Sequence, residues 1–177
     1  MLRWLRWLTV ASLVVLGCSG KDPYSPGTTV GTFHVEAKLT SLSCGGTAPN
    51  PWAFDVKVNH DGATVYWIQG GTPIAGTVDA DGHTAFSAQT VNDVRAAAGK
   101  QLACSLARTD NLGMYLLDAA TKPTTDPTLL TSFSGQLSYA YAPTDGSDCS
   151  DQLTEAGGTW QALPCAVTYD VTGTLKQ

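Results

Sequence analysis

The side chains with metal-binding or proton-transfer chemistry are few. There are three histidines, His34, His60 and His83. His60 precedes the turn signal Asp61-Gly62, and His83 follows a second one, Asp81-Gly82. Alternate hairpins of a meander point to the same end, so His60 and His83 can approach each other there. With Asp61 or Asp81 beside them they would suit a transition metal. The commoner fate of such histidines is solvation in the turn. Asp79-Ala80-Asp81-Gly82 opens like a calcium loop, but the twelfth position is Thr90 and not the bidentate glutamate such a loop needs. Asp145, Asp148 and Asp151, followed by Glu155, form the densest acidic group. It is a weak candidate for a hard cation and reads first as a solvated loop. No His-Glu-x-x-His, Cys-x-x-Cys or Gly-x-Ser-x-Gly occurs, so zincin, thioredoxin-like and serine-elbow chemistries lose their signatures. The reading is non-enzymatic, with no cofactor. An envelope hydrolase stays open as an alternative, since any two acids facing a cleft could serve a glycosidase.

The elements that hold these residues alternate with a period of two. Phe33, Val35, Ala37 and Leu39 interleave with His34, Glu36, Lys38 and Thr40. Trp52, Phe54, Val56 and Val58 repeat the pattern. One face is buried and the other wet. Further strands follow at 64–68, 74–78 and 84–86. The alternation then resumes in Leu102/Cys104/Leu106 and in Leu112/Met114/Leu116, before the long stretches 133–141 and 165–175. Residues 91–99 are the one helical candidate, with Asn92 as cap and Gly99 as stop. A loop with a single turn is the equal alternative. Eight or nine strands joined by short turns predict an all-β antiparallel meander, a closed or nearly closed barrel. A two-sheet β-sandwich is the alternative. Gly76, Gly135 and Gly173 fall on inward faces, where glycine marks bends or close packing. The aromatic residues Trp52, Phe54, Trp67, Phe86, Phe133, Tyr139 and Tyr169 point inward by the same parity. They either fill the barrel or line one small-ligand pocket.

The N-terminus carries the most specific signal. Arg3 and Arg6 precede an apolar run from Trp7 to Leu16, too short for the roughly 20 residues a span requires. The run closes on Val15-Leu16-Gly17-Cys18, which resembles the lipobox of bacterial lipoproteins. Val15 stands where that family usually has leucine. The resemblance implies cleavage before Cys18 and a diacylglyceryl group on its thiol, with fatty acyl chains such as palmitate. At least two chains give stable membrane attachment, which one chain does not. Ser19, in place of the aspartate that retains enterobacterial lipoproteins at the inner membrane, leans towards the outer membrane. The expected organisation is a signal peptide over 1–17, a lipidated flexible tether over 18–31 and a single β domain over 32–177. The mature chain is mildly acidic, with eight basic residues against fifteen acidic ones. It has no basic cluster, which disfavours nucleic acid.

With Cys18 lipidated, Cys44, Cys104, Cys149 and Cys165 remain, an even number in an exported domain, and disulfides are expected. Counting 102–106 and 112–116 as separate strands puts Cys44 and Cys104 at one rim, and Cys149 and Cys165 at the other. That predicts Cys44–Cys104 and Cys149–Cys165. The functional expectation is a membrane-anchored cell-envelope lipoprotein with a binding or structural role. Its partner would be a protein, a glycan or a small apolar ligand. A periplasmic inhibitor or chaperone-like module is the runner-up.

Overall fold

The computed structural model describes residues 22–176. Cys18 and the lipobox-like segment lie outside the described residues. The chain forms a closed eight-stranded antiparallel barrel in simple meander order. The strands are β1 (Thr28–Leu42), β2 (Trp52–Asp61), β3 (Thr64–Ile68), β4 (Ile74–Val78), β5 (His83–Arg95), β6 (Cys104–Leu117), β7 (Ser132–Pro143) and β8 (Cys165–Leu175). Closure comes from β1 pairing with β8, from Phe33↔Leu175 to Leu42↔Val167. The only helices among the described residues are three-residue 3-10 turns.

Alternation drives this closure. Along β1, Phe33, Val35 and Ala37 are buried while His34, Glu36 and Lys38 are exposed. The strands turn most of their apolar residues inward, into a main core and a smaller cluster at Cys104, Leu106 and Cys149, and closure leaves no free edge. Tight turns need glycine where φ is positive. Gly62 (φ 59°) follows β2, and Gly82 (φ 82°) precedes β5. The exterior carries Glu36, Lys38, Asp55 and Asp170, the inverse of a lipid-spanning barrel, whose outer band is apolar.

The two ends of the barrel differ. The turn after β2, the turn before β5 and the loop at 118–131 share one end with the start of β1. The 118–131 loop closes it, with Leu130 and Pro127 buried. Above this plug lie Phe33, Phe133, Met114, Leu116 and a ring of valines. The Phe33 and Phe133 rings are 5.6 Å apart. A Cβ at Gly173 would run into the Phe133 ring, and one at Gly135 into Gly113 O. These inward glycines permit close packing, of a ring at Gly173 and of the neighbouring backbone at Gly135, as their parity predicts. Burial of each large apolar side chain is worth about 1.5–3 kcal/mol, so this lower half is the stabilising core.

The opposite end, the mouth, gathers loops 43–51, 69–73, 96–103 and 144–164. All four remaining cysteines lie here. The disulfides are Cys44–Cys165, with Cα atoms 5.0 Å apart, and Cys104–Cys149, at 4.9 Å. The expected pairing of Cys44 with Cys104 and Cys149 with Cys165 is therefore wrong. Residues 102–106 and 112–116 are not two strands. They belong to one, β6, and removing the extra reversal brings Cys149 and Cys165 to the same rim as the others. Adjacency then decides the partners. Cys44 leaves β1 beside the start of β8, where Ser43 N–H donates to Ala166 O. Cys104 opens β6, next to the loop leaving β7, where Asp148 N–H donates to Ala103 O.

Two other expectations need correction. Residues 91–95 are the end of β5, and the chain turns through 96–103 with a bridge between Ala98 and Gln101. Pairing with β6 supplies more hydrogen bonds than one isolated helical turn can. The register also slips between Asp93 and Arg95. β1 begins at Thr28, inside the stretch read as tether. Asn59 anchors the residues before it, its amide donating to Ser25 Oγ and Pro26 O.

Candidate functional site

Two polar residues interrupt the inward apolar face of β6. Cys104, Leu106, Leu112, Met114 and Leu116 point inward, and Arg108 and Asp110 share their parity. Asp110 stands opposite Tyr139 on β7. Two residues apart on one strand face, the pair is bidentate. Arg108 Nε donates to Asp110 Oδ1 at 2.6 Å and Nη2 donates to Oδ2 at 2.9 Å. The guanidinium carbon lies 4.4 Å from the Tyr139 ring centroid, a cation–π contact. Burial opposes the Arg108 charge, but the hydrogen bond and charge of Asp110 outweigh it and hold its pKa above the usual value. Burial is also the main reason the Tyr139 hydroxyl is pushed up to about 12, with the Asp110 charge adding to it.

The pair lines a cup of about 320 Å³ at the mouth. Trp52 from β2 and Trp67 from β3 form aromatic wall beside Tyr139, and Ile74 adds an aliphatic edge. Gln69 and Thr72, from the β3–β4 turn, stand at the rim. A smaller recess of about 40 Å³, reaching Phe86, Leu112 and Leu137, shares Trp67, Asp110 and Tyr139 with the cup. The wall is held from behind. Trp52 packs on Phe54 at 4.5 Å and on Tyr169 at 5.5 Å. Phe54 meets Trp67 edge-on at 6.3 Å.

Of the inward aromatic residues, Trp52, Trp67 and Tyr139 border the cup and Phe86 the smaller recess. Phe54 and Tyr169 support the wall, and Phe133 belongs to the packed lower core. Arg108, Asp110, Gln69 and Thr72 were missed. Strict parity carried from Cys104 through to Leu116 would have found the first two.

The 144–164 loop covers another part of the mouth. Trp160 packs on Tyr141 at 4.8 Å, and with Leu163 it covers Cys104, Leu106 and Cys149. Arg95 clamps this loop. It donates to Asp151 at 2.8 Å, to Asp148 O at 2.8 Å and to Leu102 O at 2.7 Å. The register slip before Arg95 re-aims its side chain, a common use of a bulge. The hydrogen bond from Arg95 holds the Asp151 carboxyl below its ordinary pKa. Asp148 is likewise lowered, by the hydrogen bonds its carboxylate accepts from Ser150.

No protein-family model, curated protein or solved structure matches this chain.

The metal candidates do not assemble. Among the described residues, no three His, Cys, Asp or Glu side chains group as a metal site requires. His60 and His83 reach the same end but face opposite sides of the wall. His60 stands opposite inward Val65, with its Nδ1 buried. His83 lies outside, against Tyr115 at 5.1 Å and Asp79 at 3.6 Å. Asp148 and Asp151 are engaged in holding the loop. His34 sits outside as well, 3.0 Å from Asp55, which also accepts from Lys176 at 2.6 Å. The larger concavity of about 490 Å³ over Glu36, Lys38, Asn50 and Asp170 is a trough on the outer face. It lacks the convergence of aromatic and polar groups that the cup has.

Proposed function

We propose that this protein is a lipoprotein of the bacterial cell envelope, anchored through Cys18, whose barrel mouth binds a small ligand without transforming it. The observation that carries the binding reading is the Arg108–Asp110 pair turned into an aromatic cup. Partly burying an ion pair on the inner face of a barrel costs desolvation free energy that apolar residues would not. Such a cost is typical of sites kept for recognition. The cup lining contains one carboxylate, already bonded to Arg108, and no histidine, serine or cysteine. That supports binding over hydrolysis, since a glycosidase needs a second carboxylate and a nucleophilic mechanism needs a base. Val15-Leu16-Gly17-Cys18 supports the anchor, and two disulfides support an oxidising compartment. Ser19 favours the outer membrane.

The test is a screen of small ring compounds by heteronuclear NMR, following the indole N–H signals of Trp52 and Trp67 and the Arg108 Nε signal. The expected result is saturable perturbation of these signals by some compounds, abolished when Thr72→Trp fills the rim. A screen that perturbs none of them overturns the ligand-binding reading.

A further inference from the structure

We infer that the cup recognises a neutral saccharide unit, an inference that rests on the ligand-binding reading of the mouth. The lining is divided. Trp52, Trp67, Ile74 and Tyr139 are apolar or aromatic, while Gln69, Thr72, Arg108 and Asp110 are polar. An acyl chain or other wholly apolar ligand would strip water from the polar half and return no hydrogen bonds, which is costly. A sugar ring matches the division, because it has a C–H face to lay on an aromatic wall and hydroxyls around its edge.

The charges argue for neutrality. Arg108 and Asp110 already cancel each other through two hydrogen bonds of 2.6 and 2.9 Å. A carboxylate ligand must either face Asp110 or break the pair to reach Arg108. An ammonium ligand meets the converse problem. The pair nevertheless keeps capacity to bond. A guanidinium has five N–H groups and spends two here, and each carboxylate oxygen retains a lone pair. A donor array therefore sits directly beside an acceptor array. Neighbouring hydroxyls, each able to donate and accept, complement that arrangement without adding charge. Gln69 at the rim repeats the combination, since its amide both donates and accepts. The volume of about 320 Å³ lies at the small end of ligand pockets, which suits a short saccharide rather than a long polymer segment.

The experiment uses the full protein in a zwitterionic detergent without a sugar headgroup. The neutral probes are glucose, galactose, N-acetylglucosamine and their β-linked disaccharides. Glucuronic acid and glucosamine are the charged counterparts, and indole and dodecanoate the apolar ones. Calorimetry gives affinity and the Trp52 and Trp67 indole signals give the place of binding. At least one neutral saccharide is expected to bind in the cup, with its charged counterparts at least tenfold weaker. Asp110→Asn should weaken it about tenfold or more, as expected for loss of hydrogen bonds to a charged group. Should that variant not fold, Gln69→Ala in the exposed rim turn should weaken binding at least threefold. Apolar probes in the cup with no saccharide overturn the saccharide class and leave the small-ligand reading standing, as does binding of only charged sugars. Saccharide affinity unchanged by either variant overturns the class too. If no probe perturbs the indole signals, both readings fall.

Discussion

Arg108 and Asp110 are the charged pair of the proposed site, and their energetics are asymmetric. Removing one partner leaves the other charge half-buried and unpaired, whereas replacing both with apolar groups relieves the desolvation of two ions. Asp110→Ala should therefore lower the unfolding free energy by about 1–2 kcal/mol. The double variant Arg108→Leu with Asp110→Leu should be as stable as the native protein, or more so, with saccharide binding lost. Denaturant titration checks both. Tyr139 gives a second handle. Its folded pKa of about 12 lies above the ordinary tyrosine value of about 10. Between those values the unfolded chain releases this proton and the folded chain keeps it, so fewer protons are bound on unfolding. Stability from this group is full below pH 10 and is lost as pH rises towards 12. Burial raises Tyr169 as well, so absorbance titration of phenolate should show late-ionising tyrosine signal that is reduced in Tyr139→Phe.

At the scale of elements, β6 carries both the cup and a staple. Its first residue, Cys104, binds Cys149 and so fixes the loop that Arg95 also clamps. The other disulfide rivets the β1–β8 seam, where the barrel closes. The sequence separations are 45 and 121 residues. In the chain-entropy model these correspond to upper limits of about 4 and about 5 kcal/mol respectively. Double replacement of Cys44 and Cys165 by alanine should therefore destabilise more than double replacement of Cys104 and Cys149. The second pair of changes should also expose the 144–164 loop to limited proteolysis under native conditions. Equal thermal shifts with no new cleavage in that loop would contradict this division of labour. Peptide mapping without reduction should return the two pairs directly.

For the whole molecule, the chain enters the barrel at the plugged end, and the cup opens at the other. Cys18 precedes Thr28 by ten residues, a stretch that spans at most about 36 Å even when fully extended. If Cys18 is anchored in a bilayer as proposed, the plugged end is the tethered end of the barrel and the mouth is the far one. Cys18→Ser is expected to move the protein from the detergent phase to the aqueous phase in membrane fractionation. Retention in the membrane fraction would contradict the anchor. The polar exterior is consistent with a barrel that stands in water, since its outward residues include Glu36, Lys38, Asp55 and Asp170.

The sequence alone determined the all-β class, the meander order and the inward face of most strands. Period-two alternation is a local property, and short turns leave antiparallel neighbours as the only connection. It also marked the inward glycines Gly76, Gly135 and Gly173 as places of close packing, and an even set of cysteines for pairing. Tertiary structure decided the rest. Arg108 and Asp110 broke the apolar pattern of β6, so the residues that mark the cup also disguised the strand that bears them. Their inward placement is stable because each neutralises the other and Tyr139 covers the cation, contacts that no single stretch of sequence displays. The same hidden continuity reversed the ends of the barrel in the strand count and misassigned the disulfides. Which cysteines pair depended on barrel closure, which sets β1 against β8 across 121 residues of chain, a relation that local spacing does not encode.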